Sequence, residues 1–249
     1  MPLLRQSCSY LGETIAATAS LLARPRGFRF RDFVLAFQRA SCEALPVASG
    51  IGLLLGVILA FESAAALKAF GAEVYVSDML AIGLFRELGP LVTAIVLAGR
   101  TGSAFAAEIA TMKTNEELDA LTVMGLDPVR FLVPPRVFAA LLAMPLITIA
   151  AELAGLAGGA AVLEMMGVPQ TVFWERTASA AGAFTVALGL AKSALFGLLA
   201  GLVGCGAGIL AKPTADGAGR AATGAVVGGM IAIAIADGIL AVLCQVWDV

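Results

Sequence analysis

The sequence predicts an all-α integral membrane protein with about five transmembrane helices. Hydrophobic residues make up 60% of the 249 residues and charged residues only 14%, whereas a soluble domain carries about 25% charged residues. The mean hydropathy is +0.95. Apolar runs of the length that a bilayer requires, about 20 residues, recur between short polar connections. The 28 glycines fit close helix packing in lipid, where small residues let two backbones approach.

The N-terminal segment, 1–43, is predicted to be basic and to end in an amphipathic helix. Its apolar piece at 14–23 is short and runs into Arg-Pro-Arg, so a cleaved signal peptide is not favoured. An apolar stripe flanked by arginines is formed by Phe30, Phe33, Val34 and Phe37. This pattern favours a helix lying on an anionic membrane surface. The alternative is a helix buried against the protein's own bundle.

The remaining residues, 44–249, divide into five predicted spans with a short polar loop at 164–177. We expect a kink or break near Gly89 in the second span, because Pro90 removes a backbone donor. A GxxxG face in the first span is formed by Gly52 and Gly56. The spans are predicted at 44–67, 79–110, 137–163, 178–211 and 221–246. A ladder of small residues in the fourth comprises Gly197, Gly201, Gly204 and Gly208.

A charged helix at about 114–125 separates the second and third spans. Thr114 and Glu117 have the spacing of a capping box, with Asn115 as an alternative cap, and Gly125 has the position of a helix-ending glycine. The acidic first turn contains Glu116, Glu117 and Asp119, and an apolar edge follows at Leu118, Leu121 and Met124. A polar, capped helix between apolar spans indicates a surface presented to a partner. The alternative is an ordinary solvated connection.

The distribution of Lys and Arg predicts the orientation. One side would hold the N-terminal arginines and the charged helix with Lys113, Arg130 and Arg136. The opposite side would hold Lys68 and Arg176. The positive-inside rule therefore predicts that the N-terminus and the charged helix are cytoplasmic and that the C-terminus lies outside.

Several kinds of site have no signal in the sequence. There is no histidine, and the four cysteines (Cys8, Cys42, Cys205, Cys244) do not form a CxxC pair, so we predict neither a metal site nor a cofactor. The phosphate-binding pattern GxxxxGK[ST] does not occur. We therefore expect no enzymatic activity in this chain and expect any ATP to be bound by a separate protein.

The central block resembles a known family of membrane proteins. The motifs RELGP, LAGRTGSAFAAEIATMK and EELDALTVMGLDPVRFLVPPR are similar to those of the MlaE/YrbE-type permeases, the membrane subunits of ABC lipid transporters that work with MCE-domain proteins. The resemblance covers about residues 37–246. The family's coupling helix usually has Thr-Glu-Gln where this chain has Asn115-Glu116-Glu117, which puts the detailed contacts of that helix in question.

The resemblance implies a five-span homodimeric permease of the bacterial inner membrane. Its coupling helix would contact a separate ABC ATPase, an MCE-domain periplasmic protein would cover the outer face, and no nucleic acid would be involved. The cargo would be phospholipid or a related hydrophobic lipid moved between the inner membrane and the periplasmic side. Two alternatives are an ion-coupled secondary transporter and a non-transporting scaffold. Five spans do not divide into two inverted repeats, and a scaffold leaves the intramembrane charges unexplained.

Ionisable groups within a membrane are costly, so they pair, face water or act in function. The resemblance assigns Glu87 to a lipid cavity, where we also place Arg86, Leu55, Leu59 and Glu62. An alternative for Glu87 is a local ion pair with Arg86, and Glu62 and Glu152 fit a position near a membrane boundary equally well. The other intramembrane charges are predicted to form structural pairs, Arg100 with Glu108 and Lys192 with Asp237.

Overall fold

The computed structural model describes residues 10, 12–14 and 29–246, and it contains only helices and their connections in that part of the chain. The helices are α1 (Phe30–Lys68), α2 (Glu73–Thr114), α3 (Glu117–Val123), α4 (Pro128–Met165), α5 (Gln170–Ala180), α6 (Ala183–Ile209) and α7 (Ala215–Val246). Five of these described helices, all except α3 and α5, are long and apolar enough to cross a membrane. The predicted all-α, five-span membrane fold is confirmed.

The predicted N-terminal segment is continuous with the first span. Helix α1 runs without a break from Phe30 to Lys68, so the predicted boundary at 43/44 falls within one helix. Phe33 and Phe37 pack against the bundle core, whereas Phe30 and Val34 are exposed. The interfacial placement stays a prediction. Most of residues 1–28, including part of the apolar piece at 14–23, lies outside the described residues.

Helices α1 and α4 run parallel and form the tightest seam of the bundle. Along α1 the buried residues are small and recur every four positions: Ala36, Ala40, Ala44, Ala48, Gly52, Gly56, Ala60 and Ala64. Gly52 faces the backbone of Ala151, and Gly56 faces that of Gly155. A Cβ at Gly56 would collide with the Gly155 carbonyl oxygen. The predicted GxxxG face is therefore a packing surface, because only glycine permits this approach.

The chain direction defines two ends of the bundle. The α3 end carries α3 and the beginnings of α1 and α4, which line one cleft there. The α5 end carries the beginning of α2 and helix α5, which are joined by an ion pair between Asp78 and Arg176 at 3.2 Å. The guanidinium of Arg176 also lies over the Tyr75 ring, 4.4 Å from its centroid. The prediction of a loop at 164–177 is wrong, because Pro169 precedes a helix that buries Phe173.

Helix α2 crosses the bundle without a break but contains two wide π-helical turns. The turns are Leu84–Leu88 and Ala98–Gly102. The first lies directly before Gly89 and Pro90, where the sequence predicted a kink or break. Proline cannot donate to the preceding turn, and the helix accommodates that loss by widening locally and continuing. Such π turns are frequent at functional sites.

Helix α4 begins earlier than predicted. Asp127 caps it by accepting hydrogen bonds from the backbone N–H groups of Val129 at 3.0 Å and Arg130 at 3.5 Å. Pro128 occupies the first helical position, where the missing donor is tolerated. The helix then continues through Pro134 and Pro135, so those prolines do not mark a boundary. The Asp127 cap therefore marks the beginning of α4, and the pair Pro134 and Pro135 does not.

The glycine ladder of α6 serves helix packing as predicted. Its members approach α2 and α4 so closely that an added Cβ would lie 2.5 Å from the Ala140 carbonyl oxygen at Gly197 and 2.6 Å from the Gly102 carbonyl oxygen at Gly204. This seam fixes the register of α6 against α2. That register determines which side chains meet at the site described next.

Candidate functional site

The first π turn of α2 exposes backbone oxygens toward α6. Pro90 has no N–H, so in a regular helix the carbonyl of Arg86 would lack its donor. The ammonium group of Lys192 donates to that carbonyl oxygen at 3.3 Å. One turn earlier on α6, a Cβ at Gly189 would collide with the carbonyl oxygen of Phe85. Glycine at 189 therefore brings α6 close enough for Lys192 to reach the turn.

Lys192 lies between the carboxylates of Glu87 and Asp237. We call these three side chains the triad. The Nζ of Lys192 is 2.5 Å from Oε2 of Glu87 and 2.8 Å from Oδ1 of Asp237. The contact with Asp237 has the distance of an ion pair without the angles of a directed hydrogen bond. The three N–H groups of the ammonium thus have three oxygen neighbours. The triad joins α2, α6 and α7.

The triad lies inside the membrane-spanning part of the bundle. Lys192 and Asp237 are each about 13 Å along their helices from the α5 end, by the rise per residue of an α-helix. The side chain of Lys192 is 2% exposed, that of Asp237 16% and that of Glu87 38%. One cation with two carboxylates leaves a formal surplus of one negative charge. Glu87 is the most exposed member of the triad, so its carboxylate can contact a bound polar group.

The predicted pairing of Lys192 with Asp237 is confirmed. The sequence did not predict that Glu87 also pairs with Lys192. The ion-pair partner considered for Glu87 in the sequence analysis was Arg86. The sequence did contain a partial signal for this approach of α6 to α2. Gly189 and Lys192 are one turn apart on α6, as expected where a helix must approach closely and place a cation.

The remaining predicted cavity residues are not part of the triad. Leu59 packs against the apolar cluster that includes Leu84, Leu55 is half-buried, and Glu62 is exposed on α1. Glu152, whose place the sequence left open, is buried on α4. An added Cβ at Gly89 would lie 2.7 Å from its Oε1 atom. Glu152 therefore lies directly against the residue that follows the π turn.

A second charged cluster lies toward the α3 end. Glu108 pairs with Arg39 at 3.2 Å and with Arg136 at 3.3 Å. The predicted pair between Arg100 and Glu108 is wrong. Eight residues separate those two by about 12 Å along an ideal helix, and the π turn at Ala98–Gly102 changes the angle on which the prediction relied. Arg100 is exposed.

Helix α3 is shorter than predicted and begins differently. The Thr114 hydroxyl donates to the carbonyl of Ala110 at 2.9 Å and so belongs to the end of α2. Glu116, with a left-handed φ of 59°, precedes α3 and makes no side-chain cap. The predicted capping box is therefore wrong. The predicted C-terminal glycine is confirmed, because Gly125 has a φ of 76° and Leu126 N–H donates to Leu121 O at 2.9 Å.

Helix α3 divides its side chains between the bundle and the surface. Leu118 and Leu121 are buried in the main core cluster, so they anchor α3 to the permease and do not form an outward edge. The predicted residues that do face outward are Glu116, Glu117, Asp119 and Met124. Val123, which the sequence missed, is 89% exposed. The surface of α3 is therefore acidic at its start and apolar at its end.

A lysine connects the end of α2 to α6. Lys113 Nζ donates to the carbonyl oxygen of Ile209 at 2.7 Å, and Ile209 is the last residue of α6. A cation at a helix C-terminus is favoured by the helix dipole. The helix that carries Lys192 is thus tied directly to the segment that leads into α3.

Comparison with known proteins identifies the family. The family model described as Permease MlaE matches residues 33–243. That region contains the triad, the second charged cluster and α3. The chain belongs to the MlaE permease family. A permease of this ABC transporter family works with an ATPase, and the present chain supplies the membrane-spanning part.

Individual MlaE relatives agree with this assignment. A probable ABC transporter permease protein of Rickettsia typhi is 35% identical over 78% of this chain and 76% of its own length. The intermembrane phospholipid transport system permease protein MlaE of Haemophilus influenzae is 34% identical over 76% of this chain and 73% of its own length. The chloroplastic protein TRIGALACTOSYLDIACYLGLYCEROL 1 of Arabidopsis thaliana is 31% identical over 85% of this chain and 61% of its own length.

Proposed function

We propose that this chain moves phospholipid or a related hydrophobic lipid between the bacterial inner membrane and the periplasmic side. A separate ATPase would drive it at α3, and an MCE-domain protein would cover the α5 end. The observation that carries the proposal is the triad: a buried cation with two carboxylates, one of them open, inside an apolar bundle. The similarity to the intermembrane phospholipid transport system permease of Haemophilus influenzae supports the same class of cargo.

The triad has the chemistry to hold a lipid headgroup in a transient way. The partly open Glu87 carboxylate can accept hydrogen bonds from a headgroup, while Lys192 remains fixed by Asp237 and by the Arg86 carbonyl. Because Glu87 has one strong protein partner already, binding competes with the ion pair and remains reversible. Apolar helix surfaces around it suit acyl chains.

Helix α3 is suited to receive the ATPase. Its outward face combines exposed carboxylates with the apolar side chains of Val123 and Met124, and its inward face is fixed by Leu118 and Leu121. Movement of α3 would reach α6 through Lys113 and Ile209. The distribution of basic residues supports a cytoplasmic α3 and N-terminus. The exposed isoleucines of α7, at 231, 235 and 239, leave a surface on which a second copy could complete a homodimer.

Replacement of Glu87 tests the proposed function. A charge-assisted hydrogen bond is worth about 1.5–3 kcal/mol, so its loss changes lipid occupancy by about one to two orders of magnitude. We expect Glu87→Lys to reach the membrane and assemble with its ATPase but to lose lipid binding and transport, because it places a second cation beside Lys192. The measurement is lipid transfer by the reconstituted complex.

Glu43→Lys, an exposed charge reversal on α1, is the matched control and should transport normally. Wild-type transport by Glu87→Lys would remove the triad from the lipid pathway. ATP-independent transport that follows an ion gradient would instead favour secondary transport.

A further inference from the structure

A separate cleft of about 480 Å³ opens at the α3 end. It is bounded by the beginning of α1, the end of α2, helix α3 and the beginning of α4, and no triad residue lines it. Its volume lies within the range of small-ligand pockets, about 300–1,000 Å³. The cleft is therefore large enough for a lipid headgroup and distinct from the proposed transport site.

One wall of the cleft carries an excess of positive charge. Arg39 and Arg136 share the single carboxylate of Glu108, which leaves a formal surplus of one positive charge. The nearby Arg29 does not add to it, because it pairs with Asp32 at 2.7 Å. Guanidinium groups bind phosphate in a planar, paired geometry. The wall formed by Arg39 and Arg136 therefore suits one phosphodiester.

The part of the cleft lined by α3 carries a carboxylate without a cation. Glu117 lines the cleft from α3 and accepts a hydrogen bond from the Asn115 amide at 3.3 Å. No ion pair with another described residue neutralises it. The cleft thus presents a surplus cation from α1 and α4 and a surplus anion from α3. A ligand with both a phosphate and an amine matches that arrangement.

Part of the cleft lining is apolar and would suit the glycerol backbone and acyl chains of a bound lipid. Leu35, Phe105 and Phe131 line the cleft, and Leu35 is exposed on the outer side of α1 together with Phe30. Since α1 continues into the membrane span, chains passing Leu35 would enter the adjoining leaflet. A soluble nucleotide or free phosphate would make no use of this apolar exit.

We propose that the cleft binds the headgroup of an amine-bearing zwitterionic phospholipid from the leaflet next to α3. The phosphate contacts Arg39 and Arg136, the amine contacts Glu117, and the acyl chains leave past Leu35. The site goes beyond the proposed transport function, because it lies apart from the triad and needs no transport step. Since Glu117 belongs to α3, the bound lipid contacts the helix that we propose receives the ATPase.

Native mass spectrometry of the purified permease without its ATPase tests this site. The protein is delipidated in detergent and titrated with phosphatidylethanolamine or phosphatidylglycerol. We expect retention of one phosphatidylethanolamine at the cleft in Glu87→Lys as well as in wild type, so that the lipid counted is not one held by the triad. The double variant Arg39→Gln and Glu117→Gln should lower that retention by about tenfold or more, because it removes charge-assisted contacts at both ends of the headgroup. Phosphatidylglycerol, which lacks the amine, should bind about tenfold more weakly.

Matched controls use the same residue types outside the cleft. Arg130 lies at the beginning of α4 and Asp119 on α3, and neither lines the cleft. The variants Arg130→Gln and Asp119→Asn should retain phosphatidylethanolamine as wild type does. Equal retention by the cleft and control variants, or equal binding of the two lipids, would overturn the proposal. So would loss of the lipid in Glu87→Lys, because the retained lipid would then belong to the triad.

Discussion

The two charged clusters of this permease have opposite composition and different surroundings. The triad places one lysine between two carboxylates inside the bundle, with Lys192 only 2% exposed. The cluster of Arg39, Glu108 and Arg136 places one carboxylate between two guanidiniums, and Glu108 is 41% exposed. Solvent therefore screens the shared carboxylate of the second cluster far more than the shared lysine of the first. Similar ion-pair distances therefore have unequal consequences, which mutation can measure.

The largest effect is expected from removing the lysine of the triad. In Lys192→Met, two carboxylates would remain close together without their cation, and breaking a buried ion pair costs about 3–5 kcal/mol. We expect a large loss of folded protein, measured by thermal unfolding in detergent. Lys212→Met, at an exposed site between α6 and α7, should unfold as wild type does.

A fully neutral triad separates stability from function. The triple variant Glu87→Gln, Lys192→Met and Asp237→Asn leaves no uncompensated charge, so we expect much of the lost stability to return. Transport should remain absent, because the charged contact to lipid is gone. If the triple variant transports lipid, the charges of the triad serve only folding.

The next effect concerns α3, where burial distinguishes anchoring residues from docking residues. Val123→Asp with Met124→Asp changes two exposed apolar positions, and interface anchors are worth about 2 kcal/mol or more. We expect more than tenfold weaker retention of the ATPase by a permease that remains folded. The readout is co-purification of the two proteins.

Two further variants control that experiment. Met165→Asp, which is exposed at the α5 end, should leave ATPase retention unchanged. Leu121→Asp should instead lower the stability of the permease itself, since Leu121 is buried in the core. Retention of the ATPase by the Val123 and Met124 variant would show that another surface receives it.

The smallest effect is expected at the exposed cluster. Glu108→Gln removes ion pairs that solvent already weakens, so the free energy of unfolding should fall by no more than about 1 kcal/mol. For a protein of this size that corresponds to a shift in Tm of about 2–4 °C. A loss as large as that of Lys192→Met would remove the contrast between the two clusters.

Sequence reasoning succeeded where the signal was local or repeated. The apolar runs gave the five spans, the glycine spacing gave the packing faces of α1 and α6, and Gly125 gave the end of α3. The prediction that Thr114 caps α3 was wrong, because its hydroxyl donates a hydrogen bond to a backbone carbonyl of α2 instead. The missed features depend on contacts between distant residues. Nothing near Glu87 in the sequence specifies that α6 will approach through Gly189 and supply Lys192.

The Arg100 prediction failed for a related reason. It assumed a regular helix between Arg100 and Glu108, whereas α2 widens at Ala98–Gly102. The true partners of Glu108 come from α1 and α4. In a bundle whose helices are held by small residues, the helix register determines charge pairing, and register is a property of the packed structure.

Photocrosslinking from position 87 tests the central claim most directly. The purified complex is delipidated, kept in detergent so that general lipid contacts are absent, and given two labelled phospholipids per copy, enough for the triad and the cleft. A photoreactive residue at 87 should capture the lipid, while one at Leu54, an exposed position on α1, should not. Capture at 54 with none at 87 would contradict the assignment of the triad to the lipid pathway.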